Sequence, residues 1–157
     1  MIVFELKTPD QTFALPRIVG SGAAASIGQG TPTKQGSSGA VAIMVDGNGT
    51  TSERFTGIAK NVSTDTAAAA GVVDVFQPLP GVVYKGSPKV AGSCNTKAKI
   101  DALAGSRVVF DLTSTTWTVD TAAGDGATKC VLMIGGDPKA DQIWFMVTVN
   151  GSYLFSV

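Results

Sequence analysis

From Arg107 to the C-terminus the sequence alternates apolar and polar residues with a period of two, broken at short intervals by turn-forming residues. Successive strand side chains point to opposite faces of a sheet, so this period commits the segment to β-structure. In "RVVFDL", Val108, Phe110 and Leu112 share one face, and Arg107 and Asp111 point the other way. In "TWTVD", Trp117 and Val119 face inward and Thr116, Thr118 and Asp120 outward. "QIWFMVTV", residues 142–149, is apolar on both faces and reads as a central or interface strand. "SYLFSV" sets Tyr153, Phe155 and Val157 together as a last strand. The runs are separated by "AAGDGAT" around Asp125, "IGGDPKAD" around Asp137 and Asn150-Gly151. That spacing is the one expected of an all-β sandwich or barrel. Asn and Gly both accept positive φ, so Asn150-Gly151 predicts a tight hairpin between the last two strands.

One segment reads as helical. "NTKAKIDALAG" offers Asn95 or Thr96 as N-cap, Ile100, Leu103 and Ala104 on one face, and Gly105 as the stop. The N-terminal third is less regular. Residues 1–7, "MIVFELK", read as a strand closed by Thr8-Pro9-Asp10. Residues 20–39 carry Gly, Ala, Ser, Thr and Gln with almost no bulky side chain, a composition that buries too little surface to fold by itself. This stretch is expected to be a long loop or arm. The 157 residues are therefore expected to form a single β domain, a small barrel or sandwich with one short helix. Within it, residues 1–40 form an N-terminal strand plus a Gly/Ala/Ser-rich loop or arm.

Apolar residues make up 44% of the chain and charged residues 15%, which argues for a globular fold. Twelve basic residues balance twelve acidic ones, so the basic surplus of a nucleic-acid binder is missing. There is no basic-apolar leader at Met1 and no run of membrane-spanning length, and a soluble, unsecreted protein is expected. Cys94 and Cys130 are the two cysteines. They are compatible with one bridge, but a reducing cytosol more often keeps such residues as small apolar fillers. The chain has no histidine, which removes the commonest general base and the commonest ligand of catalytic zinc.

"RIVGSGAAASIG", Arg17 to Gly28, contains the pattern G-x-G-x-x-A, and Asp46 closes the apolar run "AVAIMVD" where a ribose-binding acid would sit. A dinucleotide site also needs a helix from the glycine turn to the next strand. That interval holds "SIGQGTPTKQGSSG", with four glycines, a proline and no amphipathic repeat. "DGNGTTSERFTG" opens like a calcium loop, but Thr51 stands where glycine is needed and Gly57 where glutamate is needed. A tight turn is the better reading. Asn48, Asn61 and Asn150 begin glycosylation tripeptides that are incidental without secretion. Ser37 and Ser38 lack the elbow and the histidine of a serine hydrolase. Trp117, Trp144, Phe145 and Tyr153 are expected in the core, with an aromatic platform for sugars or bases as the lesser alternative. No enzyme, cofactor or metal is expected.

The segment from Ser52 to Gly86, "SERFTGIAKNVSTDTAAAAGVVDVFQPLPGVVYKG", resembles head decoration (cement) proteins of tailed bacteriophages. The pieces that carry the likeness are Phe55-Thr56-Gly57-Ile58-Ala59, the polar turn Asp65 to Ala70, Gly71-Val72-Val73-Asp74-Val75, and the corner Pro78-Leu79-Pro80-Gly81. "KIDALAGSRVVFD" and the terminal hairpin are similar in layout, so the likeness runs from Val41 onward. The resemblance implies a small β-barrel or sandwich that docks on the outside of an icosahedral shell and stabilises it. The partner would be the major capsid protein, the chain a homotrimer (a dimer being the other option), and its place the outer capsid surface after synthesis in the host cytoplasm. No nucleic acid or membrane would be bound. The rival is another virion part: a head-fibre base, or a tail or carbohydrate-binding piece. On the decoration reading, residues 1–7 and 20–39 supply contacts to capsid or sister subunits, with Ile2, Phe4, Leu6, Gly20, Gly22 and Gly28 as the contact residues. An edge strand such as "MIVFEL" is a template for pairing with another chain. The competing reading has residues 1–7 completing the protein's own barrel.

Overall fold

The computed structural model describes residues 5–6, 14–20, 26–36, 38–44, 55–79, 81–122 and 131–148. The fold is all-β with one short helix, and its strands form two sheets. The first is a closed barrel in the order β2-β4-β3-β5-β6. Its strands are β2 (Ala14–Val19), β3 (Pro32–Gln35), β4 (Val41–Ile43), β5 (Phe55–Ala59) and β6 (Gly71–Phe76). Antiparallel β2 and β6 pair over six residues, from Ala14 opposite Phe76 to Val19 opposite Gly71. The seam is closed by a parallel contact of Val19 with Val41.

The second sheet runs β1-β7-β11-β10-β8-β9. It comprises β1 (Glu5–Leu6), β7 (Tyr84–Gly86), β8 (Arg107–Thr113), β9 (Thr116–Asp120), β10 (Val131–Asp137) and β11 (Gln142–Val147). The chain leaving β7 crosses to the far side of this sheet, where Pro88 bridges Val119 of β9. The sheet is thereby rolled on itself. The helix α1 (Lys97–Leu103) packs on β10 through Ile100. A Cβ at Gly136 would meet the Ile100 side chain at 3.1 Å and the Gln142 carbonyl oxygen at 2.3 Å, so glycine is what permits this approach.

The two sheets share a core. Phe55 of the barrel stacks on Phe110 at 5.4 Å and meets Tyr84 edge-on at 6.2 Å; Phe145 stacks on Tyr84 at 5.6 Å. The Tyr84 hydroxyl donates to the Phe76 carbonyl 3.1 Å away, tying β7 to barrel strand β6. Such aromatic pairs contribute about 0.5–1.5 kcal/mol each beyond the area they bury. A smaller cluster of Val19, Ile27, Val41, Ala59, Val73 and Val75 fills the barrel.

Strands β8, β9 and β11 and the helix follow the sequence pattern. Thr96 is the N-cap, its Oγ1 accepting from the Lys99 amide, and Gly105 takes φ of +87° just beyond the helix. β11 is central, between β7 and β10. One departure lies in β8 and β9, where Val109, Asp111 and Thr118 on the faces expected outward are buried too. For Asp111 the cause is long-range: Lys89 reaches over β8 and β9 to its carboxylate. The other departure is the segment 20–39. It is not a loop or arm throughout, because β3 lies inside it as a barrel strand between β4 and β5, and Ile27 is in the barrel core. A five-stranded barrel has little interior volume, so small side chains fit where bulky ones would not. The polar ones are satisfied internally. Buried Thr33 donates its hydroxyl to the Gly57 carbonyl at 2.8 Å, which makes Thr56 the donor of the 2.8 Å bond between the two threonine hydroxyls. Serine does the same at Ile27, whose amide is bonded by Ser63 Oγ at 2.8 Å and whose carbonyl accepts from the Ser63 amide at 2.9 Å.

Gly57 and Gly71 set the geometry of the β5–β6 pair. Gly57 has φ of +141°, and a Cβ there would lie 2.1 Å from the Phe76 carbonyl oxygen. A Cβ at Gly71 would lie 2.1 Å from the Asp65 amide nitrogen. Real Cβ atoms do not approach backbone so closely, so both positions require glycine.

Candidate functional site

The first candidate surface is the edge formed by β1. Glu5 pairs with Lys85 and Leu6 with Tyr84, and β1 is the outermost strand of its sheet. The chain therefore uses this strand within its own fold. Among the described residues no strand pairs with its other side. An outermost strand is a template for strand addition. Ile2 and Phe4 lie outside the described residues, as does Gly22. Gly20 directly follows β2, and a Cβ built on it meets nothing within 4 Å. Gly28 sits in the turn before β3, 3.6 Å from Thr31 Oγ1 by the same measure. Neither glycine is forced by close packing. Gly20 and Gly28 belong to the barrel region and Leu6 to the edge of the rolled sheet.

A second surface was not singled out from the sequence. Ile18 and Val72 are direct cross-strand partners on β2 and β6, and they are 64% and 45% exposed. Pro16, on the same face of β2, is exposed, as is Val62 in the β5–β6 connection. That connection is bonded to β6 on both sides of Val72–Asp74, through Thr64 N to Val72 O at 3.0 Å and Asp74 N to Asn61 Oδ1 at 2.8 Å. The signal was present in "GVVDVF": inward Val73 and Val75 leave Val72 outward by alternation. Paired with β2, it puts Ile18 outward as well.

A third feature is electrostatic. Lys89 Nζ lies 2.8 Å from Asp111 Oδ1 and 3.0 Å from Asp120 Oδ2. Thr113 Oγ1 donates to Asp111 Oδ2 at 2.8 Å, and Thr118 Oγ1 lies 3.4 Å from the same oxygen. Burial works to raise the Asp111 carboxyl, but hydrogen bonds from Lys89 and Thr113 and the Lys89 charge outweigh it and hold the group below the usual carboxylate range. Hydrogen bonds to Asp111 and Asp120 raise the Lys89 ammonium in turn. The cluster sets one positive charge against two negative ones, and its geometry is that of a staple between chain segments. Nearby, the Asp141 carboxylate caps the Gly92 and Cys94 amides at 2.5 and 2.9 Å. Cys94 is a free thiol in the larger core, and burial pushes its pKa up. Cys130 lies outside the described residues.

The remaining motifs find these places. Residues 26–36, where a dinucleotide fingerprint needs helix, carry turn and strand. Trp117 and Phe145 are buried in the shared core. Trp144 is half-buried, opposite Lys85 on β7, with its ring 3.4 Å from a Cβ built on Gly135. Tyr153, the Asn150-Gly151 hairpin, Ser37 and the Asp125 turn lie outside the described residues, as do residues 45–50 around Asp46. Among the described residues no three His, Cys, Asp or Glu side chains gather as a metal site, and no helix is long and apolar enough to cross a membrane. The described surface presents an outermost strand, β1, and the exposed apolar pair Ile18 and Val72 on the barrel. No family model matches the chain, and neither a curated protein nor a solved structure matches it.

Proposed function

We propose that this chain is a non-enzymatic virion protein of a tailed bacteriophage that docks on the outer surface of the capsid and stabilises the shell. One observation carries the reading. The sequence pieces that resemble head decoration proteins coincide with successive structural units: Phe55–Ala59 is β5, the polar stretch after it is the β5–β6 turn, and Gly71–Phe76 is β6. Two glycines of those pieces, Gly57 and Gly71, are among those whose Cβ would collide with backbone. The pieces that carry the resemblance therefore include residues that shape the barrel, which supports the reading. The major capsid protein is the partner, engaged through the β1 edge and the segment preceding it, with a homotrimer as the assembled form. Fully burying apolar anchors such as Ile2 and Phe4 contributes roughly 1.5–3 kcal/mol each, and repetition over a shell adds avidity.

Co-sedimentation with undecorated capsids tests this, using the full chain and a variant lacking residues 1–7. The full chain should pellet with capsids at a fixed stoichiometry, and the truncated chain should stay folded and remain in the supernatant. A full chain that never pellets with capsids contradicts the function. A truncated chain that binds as before contradicts the docking element alone.

A further inference from the structure

We propose that residues 87–91 form a releasable strap, which closes the rolled sheet over the outer edge of β9 and opens as a local unit while the rest of the fold stays intact. The strap leaves β7 at Gly86, which is paired to Ile143. It is fixed again at Gly92 and Cys94, whose amides are held by the Asp141 carboxylate. Gly92, at φ of +80°, supplies a hinge. Between these fixed points the strap has two backbone hydrogen bonds to β9, Lys89 N to Val119 O at 2.8 Å and Val119 N to Ser87 O at 3.0 Å. Pro88 between them has no N–H to add a third. Pro88 is buried, but Lys89 is exposed and Val90 is 60% exposed, so little apolar burial holds the strap down.

What holds it is Lys89, bonded at once to Asp111 of β8 and Asp120 of β9. The lysine end of both pairs is 41% exposed while the carboxylates are largely buried, and an ion pair that solvent reaches from one end is weakened and screened by salt, which suits a latch better than a permanent joint. When the strap lifts, the Val119 N–H and C=O lose their partners, and β9 becomes an open edge able to accept another strand. A strand residue directs its N–H and C=O to the same side. Val119 therefore faces the strap, while its neighbour Thr118, opposite Asp111, faces β8.

Amide hydrogen exchange resolved by residue, on the full chain, tests the strap directly. The Lys89 and Val119 amides should exchange faster than Thr118 and with little dependence on denaturant, the mark of local opening. In Lys89→Met both should speed up by roughly three- to tenfold, on the scale of two lost ion pairs that share one exposed lysine, while Thr118 keeps its rate. Lys89 and Val119 exchanging at the Thr118 rate with the same denaturant dependence overturns the proposal. A Lys89→Met protein in which the two amides are unchanged, or in which all three speed up alike, overturns it too. Because the wild-type measurement stands alone, failure of the variant to fold leaves the test decisive.

Discussion

Replacing Gly57 by alanine puts one methyl group where the β5–β6 ladder leaves no room. The new Cβ would sit 2.1 Å from the Phe76 carbonyl oxygen, 2.5 Å from Val75 Cγ1 and 2.9 Å from the Phe76 carbonyl carbon. The φ of +141° alone costs a non-glycine residue about 1–3 kcal/mol. Relieving the collision means moving β6 away from β5, which breaks the pairing of Ile58 with Phe76 and of Ala59 with Val75. It also pulls the Phe76 carbonyl from the Tyr84 hydroxyl. At about 1 kcal/mol net per hydrogen bond, loss of the Lys60 N to Asp74 O bond beside this pairing and of the Tyr84 bond brings the total to about 3–5 kcal/mol. That is a large part of the 5–15 kcal/mol by which a typical domain is stable. For a chain of this size it corresponds to a fall in melting temperature of roughly 10–20 °C. Calorimetry of Gly57→Ala beside Gly20→Ala is the assay, since a Cβ at Gly20 meets nothing within 4 Å and should move the transition by no more than about 2 °C. A Gly57→Ala protein melting within about 2 °C of wild type would refute the reasoning.

Three further outcomes follow from the same contacts. Thr33→Val should cost about 1–3 kcal/mol by stranding the Thr56 hydroxyl and the Gly57 carbonyl, and Thr33→Val with Thr56→Val should lose less than the sum of the single changes in denaturant titrations. Burial raises the Tyr84 phenol above its ordinary value, so the neutral form is favoured in the fold. Its contribution is complete below about pH 10 and lost as pH rises further, and absorbance titration should show Tyr84 ionising only with alkaline unfolding. The Asp111 carboxyl is held low, so its contribution is complete above the ordinary carboxylate range and lost as pH falls below about 4. Acid melts of Asp111→Asn should show a shallower pH dependence than wild type.

How far the fold is legible in the sequence depends on how local its causes are. The apolar Trp117 and Val119 of β9, the Thr96 cap and Gly105 stop of α1, and the continuous apolar run of the central β11 each lie within their own segment. β3 escapes such reading because bulky apolar residues are the signal of burial, and this barrel buries Thr31 and Thr33 instead. The fitness of Thr33 for the interior depends on Thr56 and Gly57, more than twenty positions away. Asp111 misleads for a related reason: an acid in an alternating strand reads as solvent-facing, and the lysine that shields it comes from the strap, twenty-two residues earlier in the chain. The apolar pair Ile18 and Val72 exists only in the β2–β6 register, so neither strand displays it alone. Of the expected contact residues, Leu6 proved to be an edge-strand residue of the protein's own sheet, which periodicity alone left open.

The most direct test of the functional account is where the protein lies on a particle. The account has a phage encode the chain, and cryo-electron microscopy of that phage's virions, compared with virions lacking the protein, would locate the missing density. The account predicts that density at repeated positions over the outer faces of the capsid, as protrusions of a size to hold this barrel and rolled sheet. Density lost only from the tail or from a single vertex, with the capsid faces unchanged, would contradict it.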